Sequence, residues 1–343
     1  MRPLLFWHLN DTSTNATPER VLAQLRADFY SNSARNLFLT GQLLELLDAF
    51  EANGISAIPY KGPTLAAFAY GNLALREFFD LDVLVRKNDV LRAKEVLVSN
   101  GYRSQYRMTP AQEAAFLRYA DQYLYARDDG NAVDLHWEVA PKAFSFRPST
   151  ELLWKRLEHL PLGGRTVLVL SPEDVLLSLC VHGVTHRWER LGWVCDVAEL
   201  IQVCKDMDWD RLVEQAATLG SRRVLFLGLF LADGLLGAGL PEELSQRVQA
   251  DAATRALAEQ VYARLFPERA NSYRLFEESL FQPFHLKAME RLRDRARYCF
   301  RQATVPSWED WESLPLPAHL FPIYTLLRPV RLTEKYVRRF LAG

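Results

Sequence analysis

Residues 61–85 read KGPTLAAFAYGNLALREFFDLDVLV, and this stretch decides the fold class. It begins with a Lys-Gly-Pro turn before a short apolar helix, and it ends in an apolar run that contains Asp80 and Asp82. Residues two apart on a β-strand point to the same face, so the two carboxylates project side by side. Like charges so placed repel each other unless a cation lies between them. Hard oxygen ligands of this kind are what Mg²⁺ accepts, usually together with substrate phosphates.

The Lys61-Gly62-Pro63 turn is a candidate phosphate site. Gly62 allows the backbone to approach a phosphate, and the helix that follows offers free N–H groups and the positive end of its dipole. Lys61 adds a point charge for phosphate oxygens. Taken alone, a Lys-Gly turn before a helix is more often only structural.

A third carboxylate lies in the segment AVDLHWEV at residues 132–139. Asp134, His136 and Glu138 alternate with apolar residues there, so they share one strand face. Asp134 is therefore the best candidate to complete a two-metal site with Asp80 and Asp82. The competing interpretation is the solvent face of an edge hairpin, which would be favoured without the upstream motif.

Arg76 lies four residues before Asp80, at the end of the predicted helix or in the loop that follows. Its guanidinium can either reach nucleotide phosphates or pair with Asp80 or Glu77. The sequence does not decide between these alternatives.

His182 and His186 are four residues apart on one predicted helix, so they share a face. With His136, we expect them to line a cleft that receives the substrate. A zinc site is less favoured, because no third ligand follows at a fixed spacing. Asp196, on the next predicted helix, is expected to orient one of these histidines or to make a packing contact.

Composition limits the fold class, the partners and the location that we expect for this protein. The chain has 343 residues, is 49% hydrophobic and carries a net charge of −1, which favours a globular protein of about two domains. Without a basic excess, no nucleic-acid partner is expected. The N-terminal apolar run is too short for a signal peptide, and residues 224–240 are too short to span a bilayer. No membrane association is therefore expected, and a cytoplasmic location with four free cysteines is predicted.

Periodicity and turn residues predict an α/β unit followed by a helical region. In the first 147 residues they predict helices at 18–53, 63–70, 88–101 and 110–119, and strands at 55–59, 79–86, 102–107, 123–127 and 132–139. Beyond residue 148 they predict a strand at 166–170, helices at 172–187, 191–205, 209–219, 221–236, 241–249, 251–265 and 285–302, and an ordered tail. The predicted domains are an N-terminal helical segment (1–54) packed on a catalytic α/β domain (55–147), and a helical domain (148–343).

The pattern KG-x2-LA-x3-Y-x5-R-x3-DLDVLV, followed by VDLHW, resembles the bacterial nucleotidyltransferases of the DNA polymerase β-like superfamily. More closely, it is similar to a little-characterised family that often accompanies natural-product and lasso-peptide gene clusters. The segments SPED at 171–174, LGWVCD at 191–196 and Y-x2-LRP at 324–329 also fit that family, so the resemblance covers most of the chain.

The resemblance implies an α+β fold, in which a polymerase β-like domain with a short mixed sheet and flanking helices precedes a mainly helical C-terminal domain. Asp80 and Asp82 would match the metal-binding pair, and Asp134 would match a third acid that binds metal or activates the acceptor hydroxyl. Lys61 and Gly62 would match the turn that holds the nucleotide phosphates. That turn is usually Gly-Ser or Gly-Gly and lies nearer to the aspartates, which leaves a degenerate nucleotide site open.

Three functions are compatible with these residues. The first is transfer of a nucleoside monophosphate from an NTP, with ATP as the expected donor, to a hydroxyl of a small molecule or modified peptide, assisted by two Mg²⁺ ions. The second is a non-catalytic nucleotide- or partner-binding protein on the same fold, which the altered turn favours. A small-molecule kinase or phosphodiesterase ranks last, because the chain lacks kinase and Walker motifs. The sequence carries no signal for oligomeric state.

Overall fold

The computed structural model describes residues 1–11, 17–144, 150–267, 282–314, 316–317 and 320–342. Within them, a small mixed sheet with flanking helices is followed by a mainly helical C-terminal region, which confirms the predicted α+β fold class. The predicted domain boundary at residues 147 and 148 lies outside the described residues, and the division into domains stays a prediction.

The helices of the described residues are α1 (Arg2–Asp11), α2 (Glu19–Ala52), α3 (Gly62–Tyr70), α4 (Val90–Ser99), α5 (Pro110–Tyr119), α6 (Thr150–Trp154), α7 (Pro172–Thr185), α8 (Leu191–Val203), α9 (Trp209–Leu219), α10 (Arg222–Leu236), α11 (Glu242–Ala250), α12 (Ala252–Leu265), α13 (Pro283–Ala288), α14 (Leu292–Thr304), α15 (Trp308–Ser313) and α16 (Pro322–Ala342). The strands are β1 (Ala57–Pro59), β2 (Asp80–Val85), β3 (Arg103–Ser104), β4 (Gln122–Ala126), β5 (Ala132–His136), β6 (Glu158–Leu162) and β7 (Arg165–Val169).

The main sheet has the strand order β1-β2-β5-β4-β3. β2 and β5 run parallel, and the other neighbours are antiparallel. The register of the parallel pair places Asp82 opposite Asp134 and Leu84 opposite His136. Because side chains alternate along a strand, the polar residues of β2 and β5 lie on the same face of the sheet.

The opposite face of β2 is apolar and anchors the sheet. Leu81, Val83 and Val85 belong to a buried cluster that also contains residues of α2 and α4. Leu84, on the polar face, belongs instead to the core formed with the C-terminal helices. The sheet therefore separates two apolar cores, and its acids lie on the face that is turned toward the helical region.

Two buried asparagines of α2 hold the segment that leads into β2. The Asn36 amide donates to the carbonyl oxygens of Leu73 (2.6 Å) and Arg76 (2.7 Å). The Asn32 amide donates to the carbonyl oxygens of Ala74 (2.8 Å) and Arg76 (3.2 Å). Since this segment lacks regular structure, these bonds replace the backbone pairing that a helix or strand would supply.

The predicted single strand at 166–170 is one half of a hairpin, β6–β7, in which Leu162 lies opposite Arg165. The missed strand contains Pro161 and is mostly exposed, so it has no apolar alternation. Gly163 and Gly164 form the two-residue turn, with φ of 58° and 80°. A Gly-Gly pair with positive φ is typical of tight hairpins, and it was the available signal for this one.

The predicted helix at 285–302 is divided into α13 and α14 by extended backbone around Met289. Arg223 and Arg295 both donate to the carbonyl oxygen of Met289, at 3.3 and 3.0 Å. These contacts from side chains replace the helical bond at that position. Among the described residues, three helices lie where none was predicted: α6 and, in the predicted tail, α15 and α16. Helix α1 falls within the predicted N-terminal helical segment. The segment 224–240 is a buried helix and turn, as predicted.

A tight turn connects α7 to α8 and shapes the wall of the cleft. Arg187 and Trp188 both have φ of 54°, a conformation uncommon for residues with side chains. The Trp188 indole is fully buried against Gly183, and the backbone N–H of Trp188 donates to the Gly183 carbonyl oxygen at 2.7 Å. A Cβ atom at Gly183 would lie 2.4 Å from the indole, so only glycine permits this packing.

We expect Gly183→Ala to lower the free energy of unfolding by about 1–3 kcal/mol, the usual cost of overpacking a core. Urea denaturation measures the difference. The matched control is Gly41→Ala in α2, where an added Cβ has no atom within 4 Å. Alanine there should be neutral or should stabilise the helix by up to about 1 kcal/mol. Equal losses in the two variants would contradict the assigned role of Trp188.

Candidate active site

A cavity of about 890 Å³ lies between the polar face of β2 and β5 and the helices α7 and α8. Its volume is within the range of small-molecule and cofactor sites. The predicted site residues that line it are Lys61, Arg76, Asp80, Asp82, Asp134, His136, His182 and His186. Gly62 is buried next to Lys61 and does not line the cavity.

Asp82 is more buried than Asp80, the other carboxylate of β2, and two basic side chains contact one of its oxygens. Lys61 Nζ donates to Asp82 Oδ1 at 3.0 Å, and His136 Nε2 lies 3.1 Å from the same atom. Burial raises the pKa of Asp82, but Lys61 and His136 outweigh it and hold the pKa well below its usual range. Asp82 is therefore ionised, and its charge is balanced within the site.

Asp80 lies two residues earlier, on the same face and closer to solvent. Burial and then the charge of Asp82 raise the pKa of Asp80 above its usual value, against the opposing effects of Lys61 and Arg76. The contribution of Asp82 to this rise is the repulsion expected between two carboxylates at positions i and i+2. Binding of a cation near Asp80 would relieve it.

Asp134 faces Asp82 across the parallel strands. Its Oδ2 accepts from Gln122 Nε2 at 3.1 Å, whereas its Oδ1 is buried without a hydrogen-bond partner in the part of the chain that the structure describes. Burial raises the pKa of Asp134 to about 6; His136 opposes this, while Asp82 and Asp80 add to it. A buried carboxylate oxygen without a partner is costly, which indicates a position for a ligand.

Asp82, Asp134 and His136 bring one donor atom each to within 4.8 Å of one another. Among the described residues, these three side chains form a group that could hold a metal ion. Asp80 is not a member of this group. Carboxylate oxygens at this spacing fit a hard divalent cation, with Asp80 close enough in sequence and on the same face to take part. His136, predicted only as a cleft residue, is thus part of the acid cluster itself.

Arg76 does not pair with Asp80 or Glu77, the partners that the sequence left open. Its guanidinium binds both oxygens of Asp196 in α8, at 2.8 and 2.9 Å, and the Tyr70 hydroxyl donates to Asp196 at 2.7 Å. Asp196 therefore anchors Arg76, so of the two roles that the sequence left open the orientation of a histidine is not the one observed, and Asp196 instead makes a contact between α8 and the segment before β2. An aspartate flanked by apolar residues on helix α8 was the signal that Asp196 has a buried partner, but the identity of that partner is set by the fold.

His182 and His186 form the opposite wall with Trp193. The two imidazole rings are 4.6 Å apart between centroids, and Trp193 lies 5.1 Å from His182, edge to face. Burial, and after it the charge of Lys61, lowers the pKa of both histidines, for His182 well below its usual value. Both rings are therefore neutral near pH 7 and can donate and accept hydrogen bonds.

None of the helices in the described residues combines the length and the apolar character needed to cross a bilayer.

We expect Asp196→Ala to lower the free energy of unfolding by about 3–5 kcal/mol, because it leaves the buried Arg76 charge without its partner. The matched control is Asp128→Ala, which removes the exposed ion pair with Arg103 and should change stability by less than about 0.5 kcal/mol. Chemical denaturation of both variants measures the contrast. A small effect of Asp196→Ala would mean that Arg76 reaches another partner or solvent.

Several solved structures resemble this chain at low sequence identity. The solution structure of the antibiotic-resistance factor ANT(2'')-Ia has 12% identity and a TM-score of 0.39, covering 55% of this chain and 94% of that chain. Its crystal structure with adenylyl-2''-tobramycin has 12% identity and a TM-score of 0.38, covering 54% and 98%. The lincomycin-bound lincosamide antibiotic adenylyltransferase LnuA has 15% identity and a TM-score of 0.35, covering 48% and 96%.

A comparison with curated proteins found no match. The family model described as "Uncharacterised nucleotidyltransferase" matches residues 1–237, which is more than half of the chain and includes the sheet, its acids and helices α7 and α8. This match confirms the resemblance seen in the sequence. The chain belongs to this family of uncharacterised nucleotidyltransferases.

Proposed function

We propose that the protein transfers a nucleoside monophosphate from an NTP, with ATP as the first candidate, to a hydroxyl of a small molecule or modified peptide. Family membership supports nucleotidyl transfer as the reaction type. The observation that carries the proposal is the convergence of Asp80, Asp82 and Asp134 on one wall of the cavity, next to the start of α3.

The start of α3 is the proposed site for the nucleotide phosphates. Gly62 has φ of +52°, which glycine adopts without strain, and it begins the helix directly after Lys61. The Lys61 ammonium lines the cavity and is a suitable partner for phosphate oxygens. The backbone of the turn contributes less, because Pro63 has no N–H and the Thr64 N–H donates to the Lys61 carbonyl oxygen at 3.2 Å. Arg76 is the second cation assigned to the nucleotide, although Asp196 now holds its guanidinium.

Asp80, Asp82 and Asp134 are the residues that would hold magnesium, with two ions as the proposed number. Bound Mg²⁺ would neutralise phosphate charge and help the pyrophosphate to leave. The unpartnered Oδ1 of Asp134 and the raised pKa of Asp80 are the features of the protein that favour a cation here. Asp134 has two roles open to it, as a metal ligand or as the base for the acceptor hydroxyl.

In the proposed reaction, the hydroxyl oxygen of the acceptor forms a bond to the α-phosphorus of the NTP. The bond from that phosphorus to the oxygen bridging to the β-phosphate breaks, and pyrophosphate leaves with the electron pair. The hydroxyl proton passes to a base, for which Asp134, with a pKa raised to about 6, is suited near neutral pH.

The wall formed by α7 and α8 is the proposed acceptor side. His182 and His186 offer neutral imidazoles for hydrogen bonds to hydroxyl groups, and Trp193 offers an aromatic surface. These residues face the acids across the cavity, so an acceptor between the two walls would present its hydroxyl to the nucleotide. Both a small molecule and a short modified peptide fit this description.

The second candidate is a nucleotide- or partner-binding protein without turnover. The contact of Lys61 with Asp82 favours it, because a lysine that neutralises the acid is not at the same time free for phosphate. Product masses separate the candidates: nucleotidyl transfer adds a nucleoside monophosphate, a kinase adds a phosphate, and a binding protein yields no product.

We expect ATP to raise the thermal midpoint of the protein in the presence of Mg²⁺ and to have little effect without it. Ligand at 100 times its dissociation constant stabilises the native state by about 2.7 kcal/mol. Thermal-shift titrations with ATP, GTP, CTP and UTP, each with and without Mg²⁺, provide the measurement. No shift with any nucleotide would contradict NTP binding by the free protein and favour the partner-binding alternative.

We expect Asp80→Asn to abolish the Mg²⁺-dependent part of the nucleotide shift while the ligand-free midpoint stays equal or rises. The second effect follows because the raised pKa of Asp80 means that the fold disfavours its charge. Asp82→Asn is a poorer test, since it also breaks the buried ion pair with Lys61. Asp128→Asn, in the exposed pair with Arg103, is the control and should retain the full shift. An unchanged shift in Asp80→Asn would remove Asp80 from the metal site.

A further inference from the structure

We propose that Asp82, Asp134 and His136 form a mixed carboxylate–imidazole site that takes a first-row transition-metal dication such as Mn²⁺ in preference to Mg²⁺. The proposal deepens the proposed function, which needs metal at these acids, and it assigns Asp134 to the ligand role. His136 becomes the residue that determines which metal occupies this position.

The spacing of the donor atoms fits a single ion. Neighbouring ligands at about 2.1 Å from an octahedral cation lie about 3 Å apart, and His136 Nε2 is 3.1 Å from Asp82 Oδ1. The third donor, from Asp134, lies within 4.8 Å of the other two. Opposite ligands of such an ion are about 4.2 Å apart, so shifts of a few tenths of an ångström bring the three into place.

The surroundings fix the ligands in this arrangement. The His136 ring is buried and packs edge to face against Tyr60, with 5.2 Å between the ring centroids. Gln122 holds Oδ2 of Asp134, which leaves the buried Oδ1 without a partner in the described part of the chain. Outer contacts of this kind orient ligands before the metal arrives.

The chemistry of the donors selects the metal. Mg²⁺ prefers oxygen ligands and retains its waters, whereas imidazole nitrogen suits first-row transition metals. A set of two carboxylates and one imidazole therefore favours first-row dications over Mg²⁺, with affinity rising from Mn²⁺, which also accepts carboxylate ligands readily, toward Cu²⁺. Between Asp80 and Asp82 the available ligand atoms are carboxylate oxygens. A magnesium ion that arrives with the nucleotide is therefore assigned to the position between these two residues.

Lys61 is the competitor for this site. Its ammonium lies 3.0 Å from the same Asp82 oxygen that would bind the metal, in a contact that is mostly shielded from solvent. A dication and an ammonium on one oxygen repel each other, so metal binding requires Lys61 to move away. Removal of the Lys61 charge should therefore strengthen metal binding, although it should weaken binding of the triphosphate.

The test is a titration of the full chain with Mn²⁺, without nucleotide, in which EPR reports free Mn²⁺ and added Mg²⁺ competes. We expect Mn²⁺ to bind at least about 10-fold more tightly than Mg²⁺, and His136→Gln to weaken Mn²⁺ binding by about 10-fold or more with little effect on Mg²⁺. Lys61→Met should bind Mn²⁺ more tightly than the unmodified protein. The exposed His159 on β6 supplies the matched control, and His159→Gln should bind Mn²⁺ normally.

A second measurement stands apart from any variant. Pulsed EPR of the Mn²⁺-loaded protein should show coupling to a directly bound imidazole nitrogen. Absence of that coupling, equal affinities for Mn²⁺ and Mg²⁺, or full Mn²⁺ affinity in His136→Gln would overturn the proposal. Because the titration contains no nucleotide, the metal selectivity can hold even if the protein does not catalyse nucleotidyl transfer. Conversely, nucleotidyl transfer with Mg²⁺ together with no Mn²⁺ coupling to an imidazole nitrogen would overturn this inference and leave the proposed function intact.

Discussion

The parallel pairing of β2 with β5 is the constraint on which the rest of the structure depends. It sets Asp82 opposite Asp134, and strand alternation then puts every acid of the cluster on one face of the sheet. The other face is committed to apolar packing against α2 and α4, through residues such as Leu81 and Val83. A slip of the register by one residue would exchange these faces, so the same apolar packing that stabilises the sheet also keeps the acids in the cleft.

Each wall of the cleft contains a buried acid whose charge is balanced locally. On the sheet, Asp82 is met by Lys61 and His136; on the helical side, Asp196 is met by Arg76. Burying a charge is costly unless partners and hydrogen bonds compensate it. The acids of the site are thus held in position before any ligand arrives, whereas Lys61 and Arg76, the two cations proposed for the nucleotide, must leave these acids in order to bind it.

The local features of the site could be predicted from the sequence, because they follow from spacing along one strand. Asp80 and Asp82 on one face, the helix start at Gly62-Pro63 and the alternation around Asp134 are of this kind. Contacts between distant segments could not be predicted, since no local rule selects a partner 120 residues away, as Asp196 is for Arg76. The same limit applies to the break between α13 and α14, where Arg223 of α10 donates to the Met289 carbonyl oxygen from 66 residues away.

The Arg76–Asp196 pair has a consequence for the mechanics of the cleft. Arg76 belongs to the segment that leads into β2, and Asp196 belongs to α8. Their two hydrogen bonds therefore connect the sheet side of the cavity to its helical wall. An anion that draws Arg76 away from Asp196 loosens this tie. The coupling is reciprocal. If a bound anion favours the open cavity over the closed one by some factor, then opening the cavity raises the affinity of Arg76 for the anion by that same factor. Occupancy of the cleft and its width are thereby linked through one ion pair.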